Sequence, residues 1–298
     1  MIDVLRYRGI TAFTSFLIVA TMIGAYIYKE RTRGYAFTYS VDFSGGTQML
    51  LKFDTAITGC QVREALEEAG WKNPTIREFS DKKEVLVRIQ EFVNDAQGLA
   101  GQVVQKLAQA YPDSNPKILQ SEGVGPSIGA ELRWKSMQAV LLALIALLFY
   151  IAITFWSFAF AVGAVVALFH DSLVMVGFFL LFDWDISINA IGAILAVLGY
   201  SINDTIVIFS RIRETLKTAR GLSLYQVVTH SINQTFRRTL LTSLATAISV
   251  IPMLLLGGEA LRDFSITLLI GIVFGTYSSI FIASPVMMLL YKEKGKAA

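Results

Sequence analysis

Apolar positions along this chain gather into runs of about 20 residues, enough to cross a hydrocarbon core of about 30 Å at 1.5 Å per residue. The runs predict six spans, at Gly9–Tyr28, Ser136–Phe155, Phe158–Phe182, Ile186–Ser210, Thr239–Leu256 and Phe264–Tyr291. The predicted layout is an N-terminus and first span over 1–28, a mixed polar domain over 29–135, five spans over 136–291 and a tail at 292–298. Between the fourth and fifth spans, Ser223 is placed to cap a helix in which Leu224, Val227, Val228, Ile232 and Phe236 share one face. This segment, near 221–237, reads either as an amphipathic helix lying at the membrane interface or as one packed on the ends of its neighbours.

In the region 29–135 the apolar period changes to a mixture of 2 and 3.6. Strands are predicted at Thr47–Phe53, Thr75–Phe79, Glu84–Gln90 and Lys117–Gln120, and helices at Thr58–Ala69 and Asp95–Tyr111. Gly70 and Pro112 stand where those helices should stop. The order β-α-β-β-α-β is that of a ferredoxin-like unit. Phe37–Phe43 is expected to add a strand, closed by Gly45 and Gly46. The fold class is therefore a six-helix membrane bundle with an α/β domain between helices 1 and 2.

Basic residues orient the spans. Arg211, Arg213, Lys217, Arg220, Arg237 and Arg238 lie between the fourth and fifth spans against Glu214, and Lys292, Lys294 and Lys296 lie in the tail. Both segments are expected to be cytoplasmic, which places the N-terminus, with Arg6 and Arg8, on the same side. The turns assigned outside carry Asp183 and Asp185, or Glu259, Arg262 and Asp263. Lys29, Arg31 and Arg33 run against the bias, but a long translocated domain follows them. The first apolar run exceeds the 7–15 residues of a signal-peptide core and lacks a small-x-small cleavage site, so an uncleaved anchor is expected.

Composition sharpens the reading. The chain is 54% hydrophobic and 16% charged, with a net charge of +3. Cys60 is the single cysteine, and the two histidines, His170 and His230, are too few for a zinc motif. No Gly-rich loop ending in Gly-Lys-Ser/Thr is present for ATP. No cofactor and no nucleic-acid partner is expected, and the α/β domain offers no catalytic constellation, so a non-enzymatic binding or lever module is expected.

The candidate chemistry is in the spans, where an aspartate costs about 2.5–3.5 kcal/mol at a helix centre. Asp204 lies seven residues before Arg211, about 10 Å inside the helix end. Ser201, Asn203 and Thr205 surround it in sequence, and Gly192, Ala196, Gly199 and Asn203 form a stripe of small residues suited to close helix approach. Arg238, at the start of the fifth span with Thr242 one turn on, is the expected charge partner. The pair reads as a proton-binding carboxylate with a mobile cation, or as a static buried pair or neutral carboxyl bonded to Asn203 or Ser201. His170-Asp171 in the third span extends a proton route or ties the bundle together by hydrogen bonds.

Several motifs occur in order: Asp42-Phe43-Ser44-Gly45-Gly46-Thr47, Val124-Gly125-Pro126-Ser127-Ile128-Gly129, His170-Asp171, Gly199 to Thr205, Arg211-Ile212-Arg213-Glu214 and Arg238 to Ser243. Together they resemble the SecD/SecF family of the bacterial Sec protein-export machinery, relatives of the RND transporters. The chain length and the Asp-Phe-Ser-Gly-Gly-Thr motif are similar to SecF rather than SecD. The resemblance implies a subunit that pairs with SecD beside the SecYEG channel, with YajC and YidC as further partners. It also implies that the proton gradient draws preproteins outward after the SecA-driven stage, in the bacterial inner membrane. By the same resemblance Asp204 and Arg238 are the proton-transport residues, with Asn203 and Thr205 beside them. Two other readings stand: a small-molecule RND-type transporter subunit, and a structural scaffold of the translocon.

Overall fold

The computed structural model describes residues 3–71, 74–79, 83–92, 95–218 and 221–291. In chain order the elements are a 3-10 turn and α1 (Arg8–Arg33), β1 (Thr38–Tyr39), α2 (Val41–Ser44), β2 (Gly46–Lys52), α3 (Gly59–Glu68), β3 (Thr75–Phe79) and β4 (Glu84–Ile89). There follow α4 (Ala96–Ala110), β5 (Lys117–Val124), α5 (Pro126–Phe155), α6 (Phe158–Phe182), β6 (Asp185–Ile186), α7 (Ile188–Thr218), α8 (Leu224–Leu256), α9 (Gly258–Ser278) and α10 (Ser284–Leu290). They form two compact units, Met1–Thr38 with Met137–Ala298, and Tyr39–Ser136. The expected tail at 292–298 and Arg220 lie outside the described residues, as do the side chain of Glu259 and its neighbour Ala260.

Among the described residues, six helices or helix pairs are long and apolar enough to cross a membrane: Leu5–Arg33, Pro126–Phe155, Phe158–Phe182, Ile188–Thr218, Leu224–Leu256 and Leu261–Leu290. Three of them start or end well beyond the hydropathy-based bounds, because a helix continues through polar sequence that no longer counts as apolar. α8 is the clearest correction. The segment near 221–237 is not a separate helix: Ser223 caps it through a capping box with Gln226, and it then runs unbroken into the fifth span. Phe236, Arg237, Arg238 and Thr239 contain no helix breaker, so nothing stops it. Its Val227, Val228 and Ile232 are fully buried with Ile208, Phe209 and Ile212 of α7.

α6, α7 and the sixth span are the most buried, and glycines of α9 set its spacing from α7. A Cβ on Gly271 of α9 would lie 2.3 Å from Val197 of α7, and one on Gly275 would lie 3.0 Å from Ser201. Small residues at such positions let helices approach where lipid offers no hydrophobic drive. At one end Phe155 stacks on Phe160 with centroids 5.3 Å apart, and Phe209 meets Phe160 edge-on at 5.0 Å. The sixth span is not one α-helix. Ser279–Ala283 forms a π turn between α9 and α10. Pro285 supplies the reason: it has no N–H to return to Phe281, and the wider turn absorbs the lost bond.

The α/β unit is a four-stranded antiparallel sheet in the order β3-β4-β2-β5, the ferredoxin-like arrangement. Met49, Leu51 and Phe53 alternate onto one face with Val85, Val87 and Ile89, under Val62 and Leu66 of α3 and Leu99, Val103 and Leu107 of α4. Thr58 caps α3 through a capping box with Gln61, and Asp95 caps α4 at Gly98 N, 2.8 Å away. The expected strand over Phe37–Phe43 is only partly formed. Thr38–Tyr39 is extended, but the chain then coils, with Ser44 N–H bonded to Ser40 O at 3.0 Å and Gly45 N–H to Val41 O at 2.9 Å. β5 runs four residues beyond the predicted Gln120, carried by its pairing with β2 as far as Gly46↔Val124.

Candidate functional site

Two carboxyl groups are buried among the spans: Asp204 of α7 is 3% exposed and Asp171 of α6 is not exposed at all. Ser243 of α8 donates to Asp204 Oδ2 at 3.4 Å, and its Oγ lies 2.6 Å from Thr276 Oγ1 of α9. Asp171 Oδ2 accepts from Ser201 of α7 at 2.6 Å and from Ser278 of α9 at 2.8 Å. His170 Nδ1 lies 3.3 Å from Asp171 Oδ1, while its Nε2 is buried without a partner. Four helices thus converge on two carboxyls through hydroxyl groups.

Several predicted site residues fall elsewhere. Arg238 is exposed on α8, and among the described residues no ion pair joins it to Asp204. It stands five residues before Ser243, about 140° around the helix at 100° per residue, so the two side chains leave α8 in different directions. Its charge still acts on Asp204 at longer range. Thr242, expected beside Arg238 one turn on, is exposed and bonds to Arg238 O and Thr239 O of its own helix. Ser243, one position on, is the hydroxyl that reaches Asp204. Thr205 is buried with its hydroxyl on Ser201 O at 3.3 Å. Ser201 serves Asp171 rather than Asp204. Asn203 is exposed, as are Gly192, Ala196 and Gly199, so the small-residue stripe of α7 faces away from this bundle. Thr276 and Ser278 carried no sequence signal, because serine and threonine in spans ordinarily bond back to their own helix.

The glycine motifs form a second constellation, in the α/β unit. Gly45 and Gly46 have φ of +75° and +115°, open to glycine at little cost. A Cβ on Gly46 would meet Ile89 O at 2.5 Å, and one on Gly45 would meet Pro126 Cα at 2.7 Å. A Cβ on Gly129 would lie 3.0 Å from Gly45 N. The two motifs therefore pack directly on each other. Asp42 accepts from Ser40 Oγ at 2.8 Å, and Gly125 is under no such constraint, its nearest neighbour being 3.8 Å away.

Six spans, four of which meet at a hydroxyl-lined pair of buried carboxyls, with a ferredoxin-like insert, define a multi-pass membrane protein with a polar centre. The family described as protein export membrane protein SecD/SecF, C-terminal, matches residues 103–293, and the SecD/SecF GG motif matches residues 36–57. The protein translocase subunit SecF of Thermodesulfovibrio yellowstonii is 38% identical over 294 residues, covering 98% of this chain and 95% of its own. That of Pseudomonas aeruginosa is 33% identical over 289 residues, covering 97% and 91%. The crystal structure of SecDF from Thermus thermophilus matches with a TM-score of 0.83 at 35% identity, over 95% of this chain and 38% of that longer one. The chain belongs to the SecF family of protein translocase subunits.

Proposed function

We propose that this subunit uses the proton gradient to drive a late stage of protein export, working with SecD after SecA has pushed the preprotein into the SecYEG channel. The observation that carries the proposal is the carboxyl of Asp204, 3% exposed in mid-span and held by a hydroxyl rather than a cation. A charge there costs a few kcal/mol and intramembrane acids mark ion pathways. A hydroxyl partner accommodates both protonation states, since it donates to a carboxylate and accepts from a carboxylic acid. Arg238 acts in this scheme as a cation at longer range, with Asn203 and Thr205 setting the surface and backbone beside the acid.

SecD as partner is supported by the Thermus thermophilus relative named SecDF, in which a segment similar to this chain occupies 38% of the length. It is also supported by the exposed stripe Gly192, Ala196, Gly199 and Asn203, a polar and small-residue surface poorly suited to lipid. YajC and YidC are proposed as further partners, and exported preproteins as the cargo. In this reading the protein lies in the bacterial inner membrane, as its relatives' role in protein export suggests, and the basic residues between Arg211 and Arg238 support cytoplasmic termini. One proton crossing the full potential releases about 2.3 kcal/mol per 100 mV, enough to bias a conformational swing but not to unfold cargo.

The test is proton flux and preprotein export in vesicles holding the complex with Asp204→Asn. Both should fall to the level without a gradient. Export that stays gradient-dependent at the normal rate would defeat this reading and leave the scaffold role.

A further inference from the structure

The hydroxyl bonds around the two acids close into a circuit through four helices. Asp171 on α6 accepts from Ser201 on α7, and Asp204 stands one turn along from Ser201. Asp204 accepts from Ser243 on α8, Ser243 meets Thr276 on α9, and Ser278, two residues further, returns to Asp171. Resting on the proton-coupling reading, the geometry points to Asp171 as a positioning residue for Asp204: its carboxyl clamps α6 to α7 and α9 and so fixes the hydroxyls that Asp204 meets.

Three features support it. Both donors reach the same oxygen of Asp171, at 2.6 and 2.8 Å, so one group holds two helices at one level. No slack exists between those helices, because Gly275 lies where a Cβ would sit 3.0 Å from Ser201. The π turn begins at Ser279, directly after Ser278, and such turns interrupt helices where function needs adjustment. A displacement of α9 that moves Thr276 relative to Ser243 and Asp204 must also move Ser278 relative to Asp171. The groups facing Asp171 are His170 on its own helix, Ser201 and Ser278. Those acting on Asp204 are Ser243 and, through its charge, Arg238. Tyr277, between Thr276 and Ser278, binds Thr11 O at 2.8 Å and anchors this stretch of α9 to α1.

The experiment uses the complex with SecD in vesicles and measures labelling of Asp204 by a hydrophobic carbodiimide, which reacts with the protonated carboxyl, across a pH series. The modified peptide is quantified by mass spectrometry. Asp171→Leu should move the midpoint of labelling by about one pH unit or more, a tenfold change in proton affinity, and lower gradient-driven export about tenfold. Asp171→Asn keeps an oxygen for both serines and should hold the midpoint near that of the parent. If the leucine variant fails to assemble, Ser201→Ala and Ser278→Ala read the same midpoint, each with a smaller displacement. An unmoved midpoint in the leucine variant, or in both alanine variants, overturns the proposal. So does loss of proton flux in Asp171→Asn as complete as in Asp204→Asn, since Asp171 would then carry the proton itself. Should Asp204→Asn leave flux intact, the proton-coupling reading fails, whereas the labelling midpoint still reports on the clamp.

Discussion

At the scale of single residues, the carboxyls of Asp204 and Asp171 are held by hydroxyls from three neighbouring helices: Ser243 on the first carboxyl, Ser201 and Ser278 on the second. Asp204 and Asp171 are visible in the sequence because a carboxyl in an apolar run has one obvious explanation, a polar interior. Their partners are not visible: Ser243 and Thr242 are adjacent in a run of hydroxyls, and only the 100° step of the helix decides which one turns inward. Arg238 is legible as a cation at the start of the fifth span, but the helical step that turns Ser243 inward leaves Arg238 exposed, so its charge acts on Asp204 only at longer range. Glycines behave likewise. Gly45→Ala should destabilise the protein by about 1–3 kcal/mol through strained φ and collision with Pro126. Gly24→Ala, in α1 with nothing within 4 Å, should be neutral or stabilising by up to about 1 kcal/mol. Thermal unfolding of the two purified variants measures the contrast.

At the scale of elements, the six spans and the four-stranded sheet were legible in number and order, unlike the short α2, because span hydropathy and the alternation of β-strands are strong periodic signals. Their ends were not, because α7 and α8 continue through charged sequence, and the π turn hid in unbroken apolar residues. Packing of α8 against α7 gives a direct prediction. Ile232→Ala should cost about 2–4 kcal/mol by opening a cavity beside Ile208 and Ile212, read as a lowered melting temperature. A second concerns α1, tied to α6 where Lys29 and Arg33 meet Asp183 at 2.6 and 3.1 Å. Hydrogen bonds from Lys29, then Arg33, hold the Asp183 carboxyl below its usual range. A group depressed in the folded state stabilises it above its unfolded pKa, and this contribution is lost as pH falls through the folded value. Acid should therefore loosen α1 below about pH 4, with a small effect because Asp183 is 44% exposed. In Asp183→Asn, the protection of α1 amides, taken relative to their pH-dependent intrinsic exchange rates, should lose this change over that window.

For the whole molecule, the outward stripe of α7 is the feature that a single chain leaves unexplained and a partner would explain. Gly199 is exposed and has nothing within 4 Å of where a Cβ would be, so the side chain of Gly199→Leu starts into open space on the outward face of α7. It should nonetheless reduce recovery of SecD on co-purification several-fold, and normal recovery would place the partner on another face. The family was legible in the sequence through motifs whose order, rather than any one of them, is specific. Why those motifs exist was not: Gly45 and Gly129 stand in motifs far apart in sequence, and only the structure sets them against each other.

That contact also has a consequence in time. Gly45 and Gly46 leave the ribosome long before Pro126 and Gly129, and the pocket that requires two bare α-carbons stays open until the later motif has been made. The sheet meets the same delay, since β5, which pairs with β2, is the last strand to be synthesised. The α/β unit therefore cannot complete its fold when its own first strand emerges. It must wait for the opening turns of the second span, so its final closure cannot precede their synthesis.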